Sequence, residues 1–365
     1  MSDKKGLYIH IPFCAKKCEY CDFTSYANKI LCANEYCDKV VEEICSHAKY
    51  EVDTVYFGGG TPSFVESDII VRILECAKSH FKIDEDAEIT IEVNPASVTE
   101  QKLLHYKRAG INRISMGAQS FNDDELKLLG RLHNVEDIYN TYNIIRKCGF
   151  DNVSLDLMFG LPEQSKRKLA HSIDCMLSLK PEHISCYGLK IEEGTPFYSK
   201  MESGEISPLD DDAFADLYEY ICKRLTDAGY VQYEISNFCL PEKHSHHNSR
   251  YWECREYVGV GAGASSYIDD VRSKNTDGLL DYKNEIEEIL NEEDKMSEFV
   301  IFGLRMTDKG ISADEFEKRF GRNIYDVFGK QFLKHKDFIT LDGGVIKLKR
   351  NAYYISNAIL TDFIM

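Results

Sequence analysis

Three cysteines stand within one short run, Cys14-Ala-Lys-Lys-Cys18-Glu-Tyr-Cys21, directly after the apolar segment Leu7 to Phe13. Thiolates at this spacing on one loop converge on a single soft metal centre. Three of them on a four-iron cubane leave one iron without a protein ligand, open to a small molecule. Other thiol chemistry fits less well. The chain has 13 cysteines, an odd number, and no secretory leader precedes Cys14, which argues against a disulfide framework. Zinc would want a fourth Cys or His at ligand spacing, and Cys21-Asp22 is followed by Phe23. The remaining ten cysteines, from Cys32 to Cys254, are dispersed and read as buried, unreactive thiols.

Two further stretches carry chemistry-bearing residues. Gly58-Gly59-Gly60-Thr61-Pro62 lets backbone approach a ligand without Cβ interference, although a tight turn explains it equally well when taken alone. It is not a Walker loop, since no Gly-Lys-Ser/Thr follows, and Gly259-Val-Gly261-Ala-Gly263 lacks the strand–helix setting of a dinucleotide site. Later, His244-Ser245-His246-His247-Asn248-Ser249-Arg250-Tyr251-Trp252 gathers three histidines and the only tryptophan. Read alone, the stretch is a polar loop first and a ligand site second.

These residues must be held by something, and the hydrophobic pattern says what. Six short segments rich in Val, Ile, Tyr and Phe recur at Leu7 to Phe13, Thr54 to Phe57, Glu88 to Val93, Arg113 to Met116, Asn152 to Phe159 and His183 to Leu189. Helical periodicity fills the gaps, as in Glu66 to Phe81, Thr99 to Ala109 (stopped by Gly110) and Val135 to Cys148 (stopped by Gly149). Strand and helix alternating six times predict an α/β fold, a parallel sheet curved into a partial (β/α)6 TIM-like barrel. Functional residues then belong at the carboxyl ends of the strands. Cys14, Gly58 to Gly60, Glu92, Gln119, Asp156 and Tyr187 all fall there or just beyond. The polar stretch Asn284 to Asp294 reads as a linker. Ser297 to Arg305, Ser312 to Phe320 and Ile324 to His335 read as helices, and Asp342-Gly343-Gly344 as the turn of a hairpin, together a winged-helix-like α+β unit.

The 365 residues suffice for about two domains, and no stretch approaches a membrane span. A net charge of −17 opposes long-range attraction to nucleic acid or anionic lipid. Short basic runs such as Lys166-Arg167-Lys168 read as solvated surface. Many thiols without export signals point to the reducing cytoplasm.

In combination, the cysteine motif after strand one, Gly-Gly-Gly-Thr-Pro after strand two and Glu92-Val-Asn-Pro after strand three resemble the radical S-adenosylmethionine superfamily. Tyr8-Ile-His10-Ile-Pro-Phe-Cys14, Gly117-Ala-Gln119-Ser-Phe121, Leu129-Gly-Arg131-Leu-His133 and Asp156-Leu-Met-Phe-Gly-Leu-Pro162 narrow it to the branch of coproporphyrinogen III dehydrogenase. The resemblance spans nearly the whole chain. It implies that Cys14, Cys18 and Cys21 ligate a [4Fe-4S] cluster with S-adenosylmethionine on the fourth iron. Tyr8 and the backbone of Gly58, Gly59 and Gly60 would lie against that cofactor, and Glu92 would hold its ribose diol. Gln119, Arg131 and Asp156 match positions that bind a second cofactor molecule in the dehydrogenase. Superfamily chemistry follows: reduction of the sulfonium, release of a 5′-deoxyadenosyl radical and abstraction of hydrogen from a substrate.

Within the branch, the dehydrogenase carries a fourth cysteine two positions after the third and a long arm before the motif. Here that position is Phe23, and only Met1 to Gly6 precede the first strand. The resemblance is therefore closer to the sister family of heme chaperones, whose mark His-Asn-x-x-Tyr-Trp matches His247-Asn248-Ser249-Arg250-Tyr251-Trp252. This implies heme as cargo, His247 as its ligand, a heme-acceptor protein, and an electron donor such as a flavodoxin or ferredoxin. A homodimer is compatible with it, and nucleic acid is not a partner. Oxidative decarboxylation of coproporphyrinogen III stands as the alternative, kept alive by Gln119, Arg131 and Asp156, so catalysis itself is left open; a radical methyltransferase is a weaker third. The corresponding domains are 1–235 for the barrel, 236–290 for the heme-site segment and linker, and 291–365 for the C-terminal unit.

Overall fold

The computed structural model describes residues 4–365. The first three residues of the short lead Met1 to Gly6 lie outside the described residues, and strand one already starts at Lys5. Six strands, β1 (Lys5–Ile11), β2 (Glu51–Gly59), β3 (Lys82–Val93), β4 (Arg113–Gln119), β5 (Val153–Phe159) and β6 (His183–Gly188), pair in that order and all in parallel. Between them run α1 (Ala33–Ser46), α2 (Ser67–His80), α3 (Glu100–Ala109), α4 (Val135–Lys147) and α5 (Lys166–Leu179), and α6 (Asp211–Asp227) follows β6. The alternation read from sequence is thus present, with β2, β3 and β4 longer than the apolar segments that mark them. Pro12 supplies no amide hydrogen, and the first strand stops before it.

Strand side chains alternate between two faces, and here the faces differ in chemistry. Ile9, Phe57, Ile91, Met116, Leu155 and Ile184 sit on the outer face in the main core, fully buried against the helices. The other face carries Tyr8, Tyr56, Glu92, Arg113, Asp156 and His183, polar groups turned into the barrel. Helix boundaries follow local chemistry. Thr99 accepts from the amide of Lys102 and caps α3, worth about 1 kcal/mol, and Gly110 closes it at φ +99°.

Residues 236–290 depart from the sequence reading. They continue the same sheet instead of forming a loop and linker. With β7 (Val231–Gln232), β8 (Asn237–Cys239), β9 (Tyr257–Val260), β10 (Ser265–Ile268), β11 (Val271–Asn275) and β12 (Asn284–Ile289), the sheet has twelve strands in the order β12-β11-β10-β9-β1-β2-β3-β4-β5-β6-β8-β7. The expected linker is therefore largely the edge strand β12. Every residue of β12 is exposed, so no buried alternation marks it, and it is held by backbone pairing with β11 and by the Asn284 side chain, which donates to Ser273 and Asn275 at 3.1 Å. The histidine stretch folds as the short helix α7 (His246–Trp252). Its first amides, those of His246 and His247, donate to the carboxylate of Glu88 inside the barrel at 3.1 and 3.0 Å, a charge that suits a helix N-terminus.

The C-terminal unit comprises α8 (Glu292–Gly303), α9 (Ala313–Phe320), α10 (Ile324–Lys334) and the antiparallel pair β13 (Ile339–Asp342) and β14 (Val345–Leu348). It has its own core of Phe299, Phe316, Phe328, Phe332 and Phe363. Thr307 fastens it to the barrel by donating to the carbonyls of Tyr233 at 3.0 Å and Gln232 at 2.8 Å. Among the described residues no helix is long and apolar enough to cross a membrane.

Candidate functional site

The cysteine loop is clamped by backbone hydrogen bonds to three other parts of the rim. The amide of Glu19 donates to Leu129 O at 3.1 Å, that of Phe197 to Glu19 O at 2.9 Å, and that of Tyr26 to Pro12 O at 2.7 Å. Within the loop, Cys21 N donates to Cys18 O at 3.3 Å, a turn that brings the last two thiols round to one side. Cys14, Cys18 and Cys21 all border one cavity of about 420 Å³ at the carboxyl ends of the strands. Burial pushes the Cys14 and Cys21 thiols up, with the Thr61 hydroxyl, 3.6 Å from Cys14 Sγ, pulling the other way. Arg131 Nη1 donates to Cys18 Sγ at 3.6 Å, placing a fixed cation beside the thiols.

Nine of the twelve residues expected at the site border this cavity: the three cysteines, Gly59, Gly60, Glu92, Gln119, Arg131 and Asp156. The glycines are required by space. A Cβ on Gly60 would stand 2.9 Å from the Phe13 carbonyl and 3.0 Å from Cys14 Sγ. One on Gly59, where φ is +111°, would strike the His10 ring. Gly117 plays the same part further round, since its Cβ would fall 2.7 Å from Gln119 Nε2. Gln119 itself sits at φ +68°, beyond an irregularity in the β4–β5 register, a costly conformation of the kind that clusters at functional sites.

Two carboxylates face the interior. Glu92 accepts from the Tyr56 hydroxyl at 2.7 Å, and burial raises it to about 7 against the pull of that bond, with Asp156 adding to the rise. Burial likewise raises Asp156 to about 6, opposed by the Ser185 hydroxyl and by Arg113 and Arg131. Arg131 is anchored by Asn94 Oδ1 at 2.5 Å and Gly117 O at 2.9 Å, which makes it part of the cavity wall and not a surface ion pair.

Tyr8 and Gly58 lie one layer deeper than expected. The Tyr8 hydroxyl is 3.0 Å from His10 Nδ1, and its ring stacks on Tyr56 at 6.2 Å. A Cβ on Gly58 would press on Tyr8, Tyr56 and Glu92, so both residues support the cavity wall. His247 differs most from expectation. Its ring is fully buried, with Nδ1 2.9 Å from Thr54 Oγ1 and Nε2 2.9 Å from the Tyr251 hydroxyl. Burial lowers it to about 3, helped by Arg250 and Arg113. Both nitrogens of this neutral imidazole are engaged, so in this conformation it is a strut between α7 and β2 and is not open to an iron.

Sequence reasoning missed several lining residues. Arg113 is 1% exposed, and its Nε and Nη1 have no hydrogen-bond partner among the described residues; as the first residue of an apolar segment it carried no local signal. Asn248 reaches the same cavity. It belongs to the histidine motif, but attention fell on the imidazole. No three His, Cys, Asp or Glu groups among the described residues close round a single ion. A four-iron cluster asks for something else, one thiolate per iron on a common face, and the cysteines, the adjoining cation and the bare glycine backbone suit it.

A partial parallel barrel with three cysteines on its rim is the architecture of a radical S-adenosylmethionine protein. Two family models agree: Radical SAM superfamily at residues 8–176 and HemN C-terminal domain at residues 290–355. Coproporphyrinogen III oxidase (HemN) of Escherichia coli, a radical SAM enzyme, has the same fold, with a TM-score of 0.87 over 100% of this chain and 91% of that one at 24% identity. More narrowly, the chain belongs to the HemW family. It is 35% identical to the heme chaperone HemW of Bacillus subtilis over 97% of this chain and 95% of that protein. It is also 32% identical to a mitochondrial radical S-adenosyl methionine domain-containing protein 1 of Danio rerio, over 99% of this chain and 87% of the other.

Proposed function

We propose that this chain is a heme chaperone, binding heme and handing it to an acceptor protein, with a [4Fe-4S] cluster and S-adenosylmethionine on its barrel rim. The observation that carries the reading is near end-to-end similarity to proteins named heme chaperone. A rim that bears Phe23 where the dehydrogenase pattern has a fourth cysteine agrees with it. Cys14, Cys18 and Cys21 would hold the cluster, and Arg131 would offset the negative charge of the thiolates. Gly59 and Gly60 offer backbone at close range, and Glu92, when ionised, accepts the two hydroxyls of a ribose. Gln119 and Asp156 border the same cavity, while Tyr8 and Gly58 brace Tyr56 and Glu92 from beneath. The pair of cofactors, when bound and reduced by a carrier such as a flavodoxin or ferredoxin, supplies one-electron chemistry at the sulfonium. The setting is the cytoplasm, and a homodimer is compatible with it.

The test is a hemin titration of the anaerobically reconstituted protein, followed at the Soret band. Saturable binding of about one heme per chain is expected. Absence of binding, with turnover of coproporphyrinogen III to the vinyl product, would replace this reading with the dehydrogenase.

A further inference from the structure

We propose that Arg113 is a positioning residue that ties the cofactor cavity to the helix of the histidine motif, and that it acts through Glu88 on how firmly α7 keeps His247 against Thr54 and Tyr251. This rests on the heme-chaperone reading and names the regulation of that site: ligand binding at the rim loosens the first turn of α7 and with it the grip on His247.

The placement comes from the sheet. Alternate positions of a strand share a face, so Glu88, Thr90 and Glu92 line up along the inner face of β3. In the pairing of β3 with β4, Thr90 stands opposite Arg113, midway between the two carboxylates. The Cα atoms of Glu88 and Glu92 are roughly 13 Å apart at the usual rise of a strand, a span that one arginine side chain serves from its centre. On the side of α7, Arg113 Nε lies 4.0 Å from Glu88 Oε2. The same carboxylate accepts from the amides of His246 at 3.1 Å and His247 at 3.0 Å. On the other side Arg113 borders the rim cavity, and its charge draws both Glu92 and Asp156 toward their ionised forms.

Neither side holds the guanidinium by a hydrogen bond through Nε or Nη1, and Thr90 Oγ1 opposite it also lacks a partner among the described residues. Buried polar groups rarely stay unpaired, and an arginine with unused donors between two acidic sites turns to the more strongly negative one. A ribose diol on Glu92 needs the ionised carboxyl as its acceptor. A nucleoside cofactor in the cavity therefore fixes a second anion beside Arg113 and brings further acceptors for Nη1. As Arg113 turns toward the cavity, Glu88, which is 8% exposed, loses a buried counter-charge, and a carboxylate in that state is costly to keep in place. The His246 and His247 amides then lose their firm acceptor. His247, already engaged at both ring nitrogens, is released from the backbone side first.

Hydrogen exchange of backbone amides, read by mass spectrometry on the peptide spanning residues 244–252, tests this link. The protein is reconstituted anaerobically and compared with and without S-adenosylmethionine, at a concentration that saturates each variant by equilibrium binding. In wild type the cofactor is expected to speed exchange of this peptide at least about fivefold. Glu88→Gln still offers an oxygen to the amides but no charge to Arg113, and Arg113→Met removes the cation; both should exchange equally with and without the cofactor. Arg113→Lys keeps the charge and should keep the response. Far-ultraviolet circular dichroism checks the fold of all three, and Glu88→Gln decides the matter if Arg113→Met does not fold. No response in wild type, a wild-type response in Glu88→Gln or in folded Arg113→Met, or no response in Arg113→Lys overturns the inference. Hemin titrated into the same wild type judges the reading beneath it. No saturable binding there overturns the chaperone reading, and the exchange result still decides whether the cavity and α7 are linked.

Discussion

The Cys18→Ser variant, reconstituted anaerobically with iron and sulfide, is expected to lose the broad visible charge-transfer absorbance and to retain well under half of the wild-type content of about four irons per chain. Cys18 is the informative choice because its thiol packs into no core. Its Sγ meets Arg131 Nη1, and the loop is held by backbone bonds of Glu19 and Cys21 that a serine leaves intact. A hydroxyl is isosteric but does not ionise to serve iron as a thiolate does. Folding should therefore survive while the centre does not. Iron and sulfide near wild-type levels in this variant would overturn the cluster assignment.

The second large effect concerns Glu92 and pH. Burial raises this carboxyl to about 7 in the free protein, above its ordinary value of 4.5, so the folded state holds a proton that the unfolded state has already released between those two values. Stability from this group consequently falls as pH rises from about 4.5 to about 7, by roughly 3 kcal/mol in all. Glu92→Gln removes that loss and should be more stable than wild type at about pH 8. Cofactor binding should move the other way. A ribose diol needs the ionised form as a double acceptor, so wild-type affinity for S-adenosylmethionine should drop roughly tenfold between about pH 8 and pH 6, because only a minority of Glu92 is then ionised. Glu92→Gln should bind at least about tenfold more weakly at pH 8 and keep only the shallower pH dependence owed to Asp156. Equilibrium binding at the two pH values checks this, and the same dependence in wild type and variant would contradict it.

Much of the rim was legible because its signals are local. Cys14, Cys18 and Cys21 share one loop, and Gly59, Gly60 and Glu92 lie at strand ends where a period-two pattern breaks off. The parallel order was equally open to reading, since buried strands of Val, Ile and Phe separated by helices leave few topologies. What escaped was set by long-range contact. β12 carries no buried residue, so only its backbone pairing with β11 makes it a strand. Arg113 opens an apolar segment with no local mark of its role, and only the fold buries it 4.0 Å from Glu88 of the adjacent β3. His247 was singled out for its chemistry, but its surroundings are built by Thr54, 193 positions away in the chain, and by Tyr251 one turn along α7. Residue type revealed that an imidazole was there, and only the fold revealed that both its nitrogens were engaged.

The central claim is that the chain carries heme in order to give it away, and transfer measures this most directly. Reconstituted protein loaded with one equivalent of heme, freed of excess hemin on a sizing column, is mixed with the apo form of a b-type heme enzyme. The Soret bands and the acceptor's activity are followed with and without S-adenosylmethionine and a reductant. The account predicts heme appearing in the acceptor and leaving the chaperone in step, faster than hemin exchanges from a non-specific carrier such as serum albumin. Tight binding with no transfer to any apo acceptor, or transfer no faster than from albumin, would contradict it.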